Sequence, residues 1–482
     1  MRSSTLLFIS LFFISSISSA KEYVWLIGGG PLLDNSQAQI ELNTKWVQQL
    51  ISKYKPNAKT KVYFTDGNDP DSDVQVQINN KDSIKNLTAI ARVFGAQQAN
   101  SIRFYNHRVA NVYASTEVNF LYADLSADFK KLKSDDSALI IFQGHGGLNK
   151  RDTSQNSLKL WKDTRLYVTQ LEEILQQLDN KVPVRFILPQ CFSGAFERLI
   201  YHQADKSQAL DLSTRCGFFA EDAYEESEGC TSSINEQDYR DYSSYFFAAL
   251  DGKTRTGEKL TRNPDRNSDH KISLTEAHFY SLTQAISTDL PRSTSESFLL
   301  NWVPWYFRWV KSHIRSNNIY SQLAQEVAQK NKLKLNANGQ ITNIHNLVKN
   351  LLEQKNQLVQ SQTELEEFTS KHQQQIAKLV SKKWPYILVP NTKEYLNLLN
   401  TQSTKIQEFI IRQKNYAELV KAQDKIKVIV RQLLDLQRGI TQLQKVNRLN
   451  SLANTLEYFN QHASMAEKQS YEKLVKCESM PF

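Results

Sequence analysis

Four short runs with little polar interruption constrain this chain most: Glu22–Gly30 (EYVWLIGGG), Ser137–Phe142 (SALIIF), Val184–Leu188 (VRFIL) and Thr214–Phe219 (TRCGFF). A strand with one face in water alternates apolar and polar residues, so runs that do not alternate must be covered on both faces. Stretches with helical spacing lie between them: Gln37 to Tyr54, with Ile40, Leu42, Trp46, Leu50 and Ile51 in phase, and Tyr167 to Leu178. Lys61 to Thr65 (KVYFT) is a further short β-rich run. Strands separated by helices predict an α/β fold with a mainly parallel sheet. In such sheets ligands bind beyond the carboxyl ends of the strands, so the polar groups that close these runs are where chemistry is expected.

From about Ser312 the character changes. Only Gly339 and Gly439 remain of the 15 glycines, and Gln, Asn, Lys and Leu dominate. Ile426, Ile429, Leu433, Leu436, Ile440 and Leu443 follow a 3-4-3-4-3 spacing that keeps one seam of a long helix apolar; Leu351, Leu358 and Leu365 make a weaker second seam. Asn338-Gly339 and the stretch from Trp384-Pro385 to Pro390 break the helices. The expectation is an all-α, coiled-coil-like extension over 311–482, folded as a hairpin on its own seam or paired with a second copy or a protein partner. Residues 301–482 carry 26 Lys and Arg against 14 Asp and Glu, so the net charge of +9 belongs to this part alone. The charge is spread along the helices without an aromatic-interleaved basic motif, which reads as a solvated face and predicts no nucleic-acid partner.

At the other end, one arginine, the apolar run Leu6–Ile14 and the small residues Ser18 and Ala20 form a secretory signal pattern over 1–20, with cleavage expected after Ala20. The apolar run is shorter than the ~20 residues a membrane span needs, and no later segment reaches that length. The predicted product is exported, to the periplasm or beyond the cell, with no transmembrane span. Four cysteines in 482 residues exclude a disulfide-dense mini-protein but permit disulfides in an exported chain.

Two of the apolar runs end in reactive side chains. Ser137–Phe142 leads into Gln143-Gly144-His145-Gly146-Gly147, and Val184–Leu188 leads into Pro189-Gln190-Cys191-Phe192-Ser193-Gly194. If both are strands of one parallel sheet, His145 and Cys191 emerge at the same edge. A thiol is a useful nucleophile when a neighbouring base favours its thiolate, and an imidazole can supply that base. Glycines beside His145 let a substrate backbone approach and leave N–H groups for an oxyanion.

An apolar strand, His-Gly, a helical crossover, a second apolar strand and Gln-Cys-x-x-Gly together resemble the caspase-like cysteine peptidases of clan CD: caspases, metacaspases, legumains and gingipains. The His-to-Cys interval is close to the ~50 residues expected for caspases. The local sequence Cys191-Phe192-Ser193-Gly194 is more similar to legumain-type and bacterial caspase-like proteins. So are the segment from Cys216 to Cys230 and the Arg292–Glu296 stretch before Trp302. The resemblance covers roughly residues 22–310 and implies a caspase-like three-layer domain over 21–310. It makes Cys191 the nucleophile and His145 the acid/base, with the N–H groups of Gly146 and Cys191 as the oxyanion hole. No cofactor is required for catalysis, and the partner is a peptide or protein substrate. In this group the histidine need not form an ion pair with the cysteine. A transpeptidase or ligase of the same fold, and a non-catalytic scaffold acting through its helices, are the rival readings.

The resemblance places the first specificity pocket in the loop after Thr214–Phe219, which begins Ala220-Glu221-Asp222 and continues with Glu225, Glu226 and Glu228. Acidic walls suit a basic P1 side chain, while a legumain-like preference for Asn or Asp stays open. Cys216 and Cys230, fourteen positions apart, are a candidate disulfide for that loop, leaving Cys477 over. Asp265, Asn267, Asp269, Lys271 and Glu276 fall on ligand positions of an EF-hand-like loop and make Ca²⁺ a candidate cofactor, although His270 stands where Gly normally makes the turn. Asn86-Leu87-Thr88 matches a glycosylation acceptor. No P-loop, HExxH or zinc thiolate spacing occurs.

Overall fold

A computed structural model describes residues 20–77, 87–95, 102–179, 181–229, 239–307, 316–390 and 392–482. The signal pattern, Asn86 and Cys230 therefore lie outside the described residues, apart from Ala20.

Each apolar run becomes a strand. In chain order the α/β part comprises β1 (Glu22–Gly29), α1 (Ala38–Tyr54), β2 (Lys59–Phe64), β3 (Val74–Gln77), α2 (Thr88–Phe94), β4 (Ile102–Tyr105), α3 (Val118–Phe129) and β5 (Ser137–Gly147). It continues with β6 (Ser157–Leu160), β7 (Thr164–Tyr167), α4 (Val168–Leu175), β8 (Val184–Leu188), β9 (Arg215–Phe219), α5 (Tyr242–Asp251), α6 (Leu274–Gln284), β10 (Arg292–Ser293) and α7 (Thr294–Trp302). The main sheet runs β2-β1-β5-β8-β9-β10, parallel except for β10 at its edge. The far end of β5 leaves the sheet and pairs with the β6–β7 hairpin.

β1 shows why its run cannot alternate. Trp25 and Ile27 pack in a core with Leu121, Leu125 and Phe129 of α3 and Leu171 of α4. Val24 and Leu26 point the other way, into a core with Val47 and Leu50 of α1 and Phe246 of α5. Helices cover both faces, giving three layers, and each large apolar side chain buried this way contributes about 1.5–3 kcal/mol.

The remaining helices are α8 (Ile319–Lys330), α9 (Ile344–Lys383), α10 (Lys393–Ile411), α11 (Tyr416–His462) and α12 (Met465–Glu478). α9 and α11 pack together as a long hairpin. Its outer end closes over α2, where Ile90 and Val93 share a core with Ile376, Val380, Leu398, Ile406 and Leu419. Its inner end is not a separate unit: Leu443, Val446, Leu449 and Leu452 of α11 share a core with Leu282, Phe298 and Leu299 of the α/β part. Among the described residues no helix is long and apolar enough to cross a membrane.

The chain then returns to the sheet. α12 carries Cys477 to a disulfide with Cys216 of β9, at a Cα–Cα distance of 6.0 Å. This corrects the expected Cys216–Cys230 pair. Spacing along the chain favoured a short loop, but Cys216 is fully buried in β9, on which α12 packs. Glu478 follows at once, its carboxylate accepting from the Thr294 hydroxyl and the Ser295 N–H, both at 2.6 Å, at the start of α7.

Candidate active site

Strand register builds the site. Ala138, Leu139, Ile140 and Ile141 of β5 stand opposite Val184, Arg185, Phe186 and Ile187 of β8, an offset of 46 residues. The same offset separates His145 from Cys191. Both therefore leave the sheet at one height, beside the point where the strand order reverses between β1 and β5. The two main chains come so close that a Cβ on Gly146 would lie 1.9 Å from the Cys191 carbonyl oxygen. No residue other than glycine fits there.

Past β8 the chain turns sharply. Phe192, directly after Cys191, adopts a left-handed φ of 60°, a conformation that costs a residue with a Cβ roughly 1–2 kcal/mol. Its N–H donates to the Glu225 carbonyl at 2.9 Å. Gly194 lets the same turn press against the Glu221–Asp222 backbone, 2.7 Å from where a Cβ would sit. Strain held by surrounding bonds is a recurrent property of functional turns.

His145 is held from the β1–α1 loop. Its Nε2 lies 2.9 Å from the Asn35 carbonyl oxygen and 2.8 Å from Gln37 Oε1. Two acceptors require an N–H at Nε2, which leaves Nδ1 with the lone pair. Burial lowers the imidazole pKa and the nearby Lys159 ammonium lowers it further, against the Asn35 carbonyl. The Cys191 thiol, half-buried, lies 3.8 Å from the Ser227 carbonyl. Burial pushes it up to about 11; Glu226 and Asp289 add to this, and the Ser227 contact opposes it. Both shifts favour the neutral thiol and the neutral imidazole over a thiolate–imidazolium pair. One cleft of about 380 Å³ contains His145, Gly146 and Cys191, with Glu226, Ser227 and Glu228 on its wall.

The other expected residues lie elsewhere. Ala220 is fully buried. Glu221 is buried too, its carboxylate accepting from the N–H groups of Leu290 at 2.7 Å and Asp222 at 3.3 Å; burial raises it to about 7. Asp222 accepts from the N–H groups of Tyr224 and Glu225. Glu221 and Asp222 hold the loop together, and the acids that reach the Cys191 cleft from it are Glu226 and Glu228.

The EF-hand-like loop satisfies itself. Glu276 Oε1 accepts from the N–H of Arg266 at 2.9 Å, and Oε2 from the N–H of Ser273 at 2.9 Å. Asp265 accepts from Ser268 and His270 N–H, and Asp269 from Lys271 N–H and the Asn267 side chain. His270 does take the left-handed turn, at φ 63°. The carboxylates nevertheless do not converge into a ligand set. Among the described residues the one group of three such side chains that does, within 4.8 Å, is Asp66, Asp73 and His107. There Asp73 already accepts from Thr65 Oγ1 and the His107 N–H and bonds His107 Nδ1.

Sequence reading missed three contributors. Gln37 and Ser227 sit in loops without a motif, and the rule that ligands gather past strand ends could have found Gln37 after the glycines of β1. The third is a stripe on α11. Arg438 pairs with Glu228, the Lys445 ammonium donates to the Ala285 carbonyl at 3.0 Å, and Arg448 lies 3.4 Å from Glu296. These cations were expected on a solvated face. Instead Lys445 is fully buried, and burial pushes it down to about 8 against the pull of Asp289. Their 3-4-3 spacing through Thr441, beside the apolar seam, was the available signal.

No family model and no curated protein matches the chain. Among solved structures, protein GSU0716 from Geobacter sulfurreducens aligns with a TM-score of 0.33 and 10% identity, over 57% of this chain and 92% of its own.

Proposed function

We propose that the chain is an exported cysteine endopeptidase of the caspase-like type, with Cys191 as nucleophile and His145 as acid/base. One observation carries this reading: a shared register offset brings a histidine and a free thiol to one cleft at the carboxyl edge of a mainly parallel sheet, with Gly146 pressed against Cys191. The helical layers on both sheet faces support it, and the Cys216–Cys477 bond suits an oxidising compartment.

The Asn35 carbonyl keeps the proton on Nε2, so Nδ1 takes the thiol proton as sulfur attacks the peptide carbonyl carbon. The N–H groups of Gly146 and Cys191 stabilise the oxyanion that forms. When the C–N bond breaks, the same proton moves from Nδ1 to the leaving amine. Water, deprotonated by Nδ1, then hydrolyses the thioester and restores the thiol.

The test is labelling of Cys191 by acyloxymethyl-ketone probes bearing Arg, Asn or Asp, read by peptide mass. The expected outcome is Cys191 labelling that falls at least ~100-fold in His145→Ala. Alkylation by iodoacetamide in the resting protein should rise about tenfold per pH unit from 7 to 9 without a plateau, since the thiol titrates near 11. Probe labelling that ignores the loss of His145 removes the proposed mechanism.

A further inference from the structure

The loop over Cys191 is a partition between two cavities. Phe192, Glu226, Ser227, Glu228 and Gly229 line the 380 Å³ cleft on one side, and on the other a cavity of about 930 Å³ whose far wall is built by α9 and α11. Beside a groove of that size, the segment next to Cys191 is tied by bonds at particular points. Glu228 is the chief of these. Its Oε2 accepts from the Thr288 N–H at 2.8 Å and from Arg438 Nε at 3.2 Å, while Arg438 Nη2 pairs with Oε1. The Glu228 N–H donates to Asp289 Oδ1 at 2.5 Å. One residue earlier, the Ser227 carbonyl meets the Cys191 thiol, and the Ser227 hydroxyl donates to the Pro189 carbonyl at 3.3 Å. The side chains of Arg438 and Glu228 are only 11% and 13% exposed, so solvent screens them little.

We propose that Arg438, 210 residues from its partner and on the helical arm, is a positioning residue for the cleft: through Glu228 it latches the Ser227–Gly229 segment against Cys191 and so makes the arm part of the substrate-binding wall. The claim about substrate rests on the peptidase reading; the claim about access to the thiol does not. Without the latch the segment swings into the larger cavity. The thiol becomes more accessible while the wall that orients a substrate is lost.

A general loss of structure would also expose the thiol and abolish hydrolysis, so the readouts that single out the latch are the KM-against-kcat split, rescue by Arg438→Lys and the non-additivity of the double variant. The experiment compares Arg438→Gln, Arg438→Lys, Glu228→Gln and the double variant Arg438→Gln/Glu228→Gln in the full chain. It uses iodoacetamide on Cys191 at fixed pH and hydrolysis of a peptide carrying the residue the ketone probes prefer. Arg438→Gln should be alkylated roughly tenfold faster and lose kcat/KM mainly through KM. Glu228→Gln should match it, the double variant should be no worse than either single one, and Arg438→Lys should recover most of the wild-type rate. Alkylation of folded Arg438→Gln at the wild-type rate, or singles that simply add, overturns the latch. Absence of any peptide hydrolysis by the wild type would count against the peptidase reading and leave the alkylation comparison to decide the latch by itself.

Discussion

The sheet and the helical arm achieve order in different ways. In β1 the side chains of Val24, Leu26 and Ile27 are completely buried, and the helices that share their cores supply residues from Ala38 to Tyr280. In the middle of the α9–α11 hairpin, Leu433 and Leu436 of the seam are half-covered, and Val428 and Val430 are 57% and 48% exposed. The sheet depends on distant neighbours, whereas the arm is a pair of long helices stabilised locally and fixed at its two ends. The candidate site lies where distant neighbours define positions, and the contact of the arm with its wall is made by the inner, buried end of α11.

The largest expected effect comes from releasing that inner end. Cys216 and Cys477 close a loop of 261 residues, and chain entropy assigns a crosslink of that span roughly 5–6 kcal/mol. Cys477→Ser should lose about that much in urea denaturation. Because Leu443, Val446 and Leu449 share a core with Phe298 and Leu299, unfolding should stay a single transition. Two separated transitions would show that the arm folds alone and would break the comparison as drawn.

The second effect contrasts one side chain in each region. Ile140 lies in the central strand β5 at 1% exposure, so Ile140→Ala should cost about 3 kcal/mol. Leu433 in the half-covered seam should cost about 1 kcal/mol when cut to alanine. Equal losses in the two variants, measured by the shift of the urea midpoint, would mean that the arm is packed as tightly as the sheet.

This contrast also explains how much could be read from sequence. The strands, the hairpin and the placing of His145 and Cys191 at one sheet edge were legible, because a run that does not alternate allows only a doubly covered strand and each residue closes such a run; the strand offset of 46 residues agrees with their interval. The partners of Cys216, Arg438 and Lys445 were not. Each is joined to a residue far away in the chain by the path of the last helices, and no local spacing encodes that path. A stretch of carboxylates after β9 looked like a pocket wall, yet Glu221 and Asp222 spend their oxygens on backbone N–H groups, a use the sequence cannot distinguish from waiting for a ligand. The EF-hand-like loop presents the same ambiguity: Glu276 meets N–H groups at both oxygens.

The smallest effect uses two glycines. Gly146 has the Cys191 carbonyl where a Cβ would go, so alanine there must push the two chains apart. Gly439 sits inside α11 with nothing within 4 Å of an added Cβ. A glycine in a helix interior costs about 0.5–1 kcal/mol relative to alanine, because it loses more backbone freedom on folding. Gly439→Ala should therefore stabilise the chain by about that amount, raise the urea midpoint slightly, and leave Cys191 alkylation unchanged, although the position adjoins Arg438. If this variant instead alters the alkylation rate, the inner end of α11 transmits more than the one ion pair to Glu228, and the arm and the sheet are coupled through the helix backbone itself.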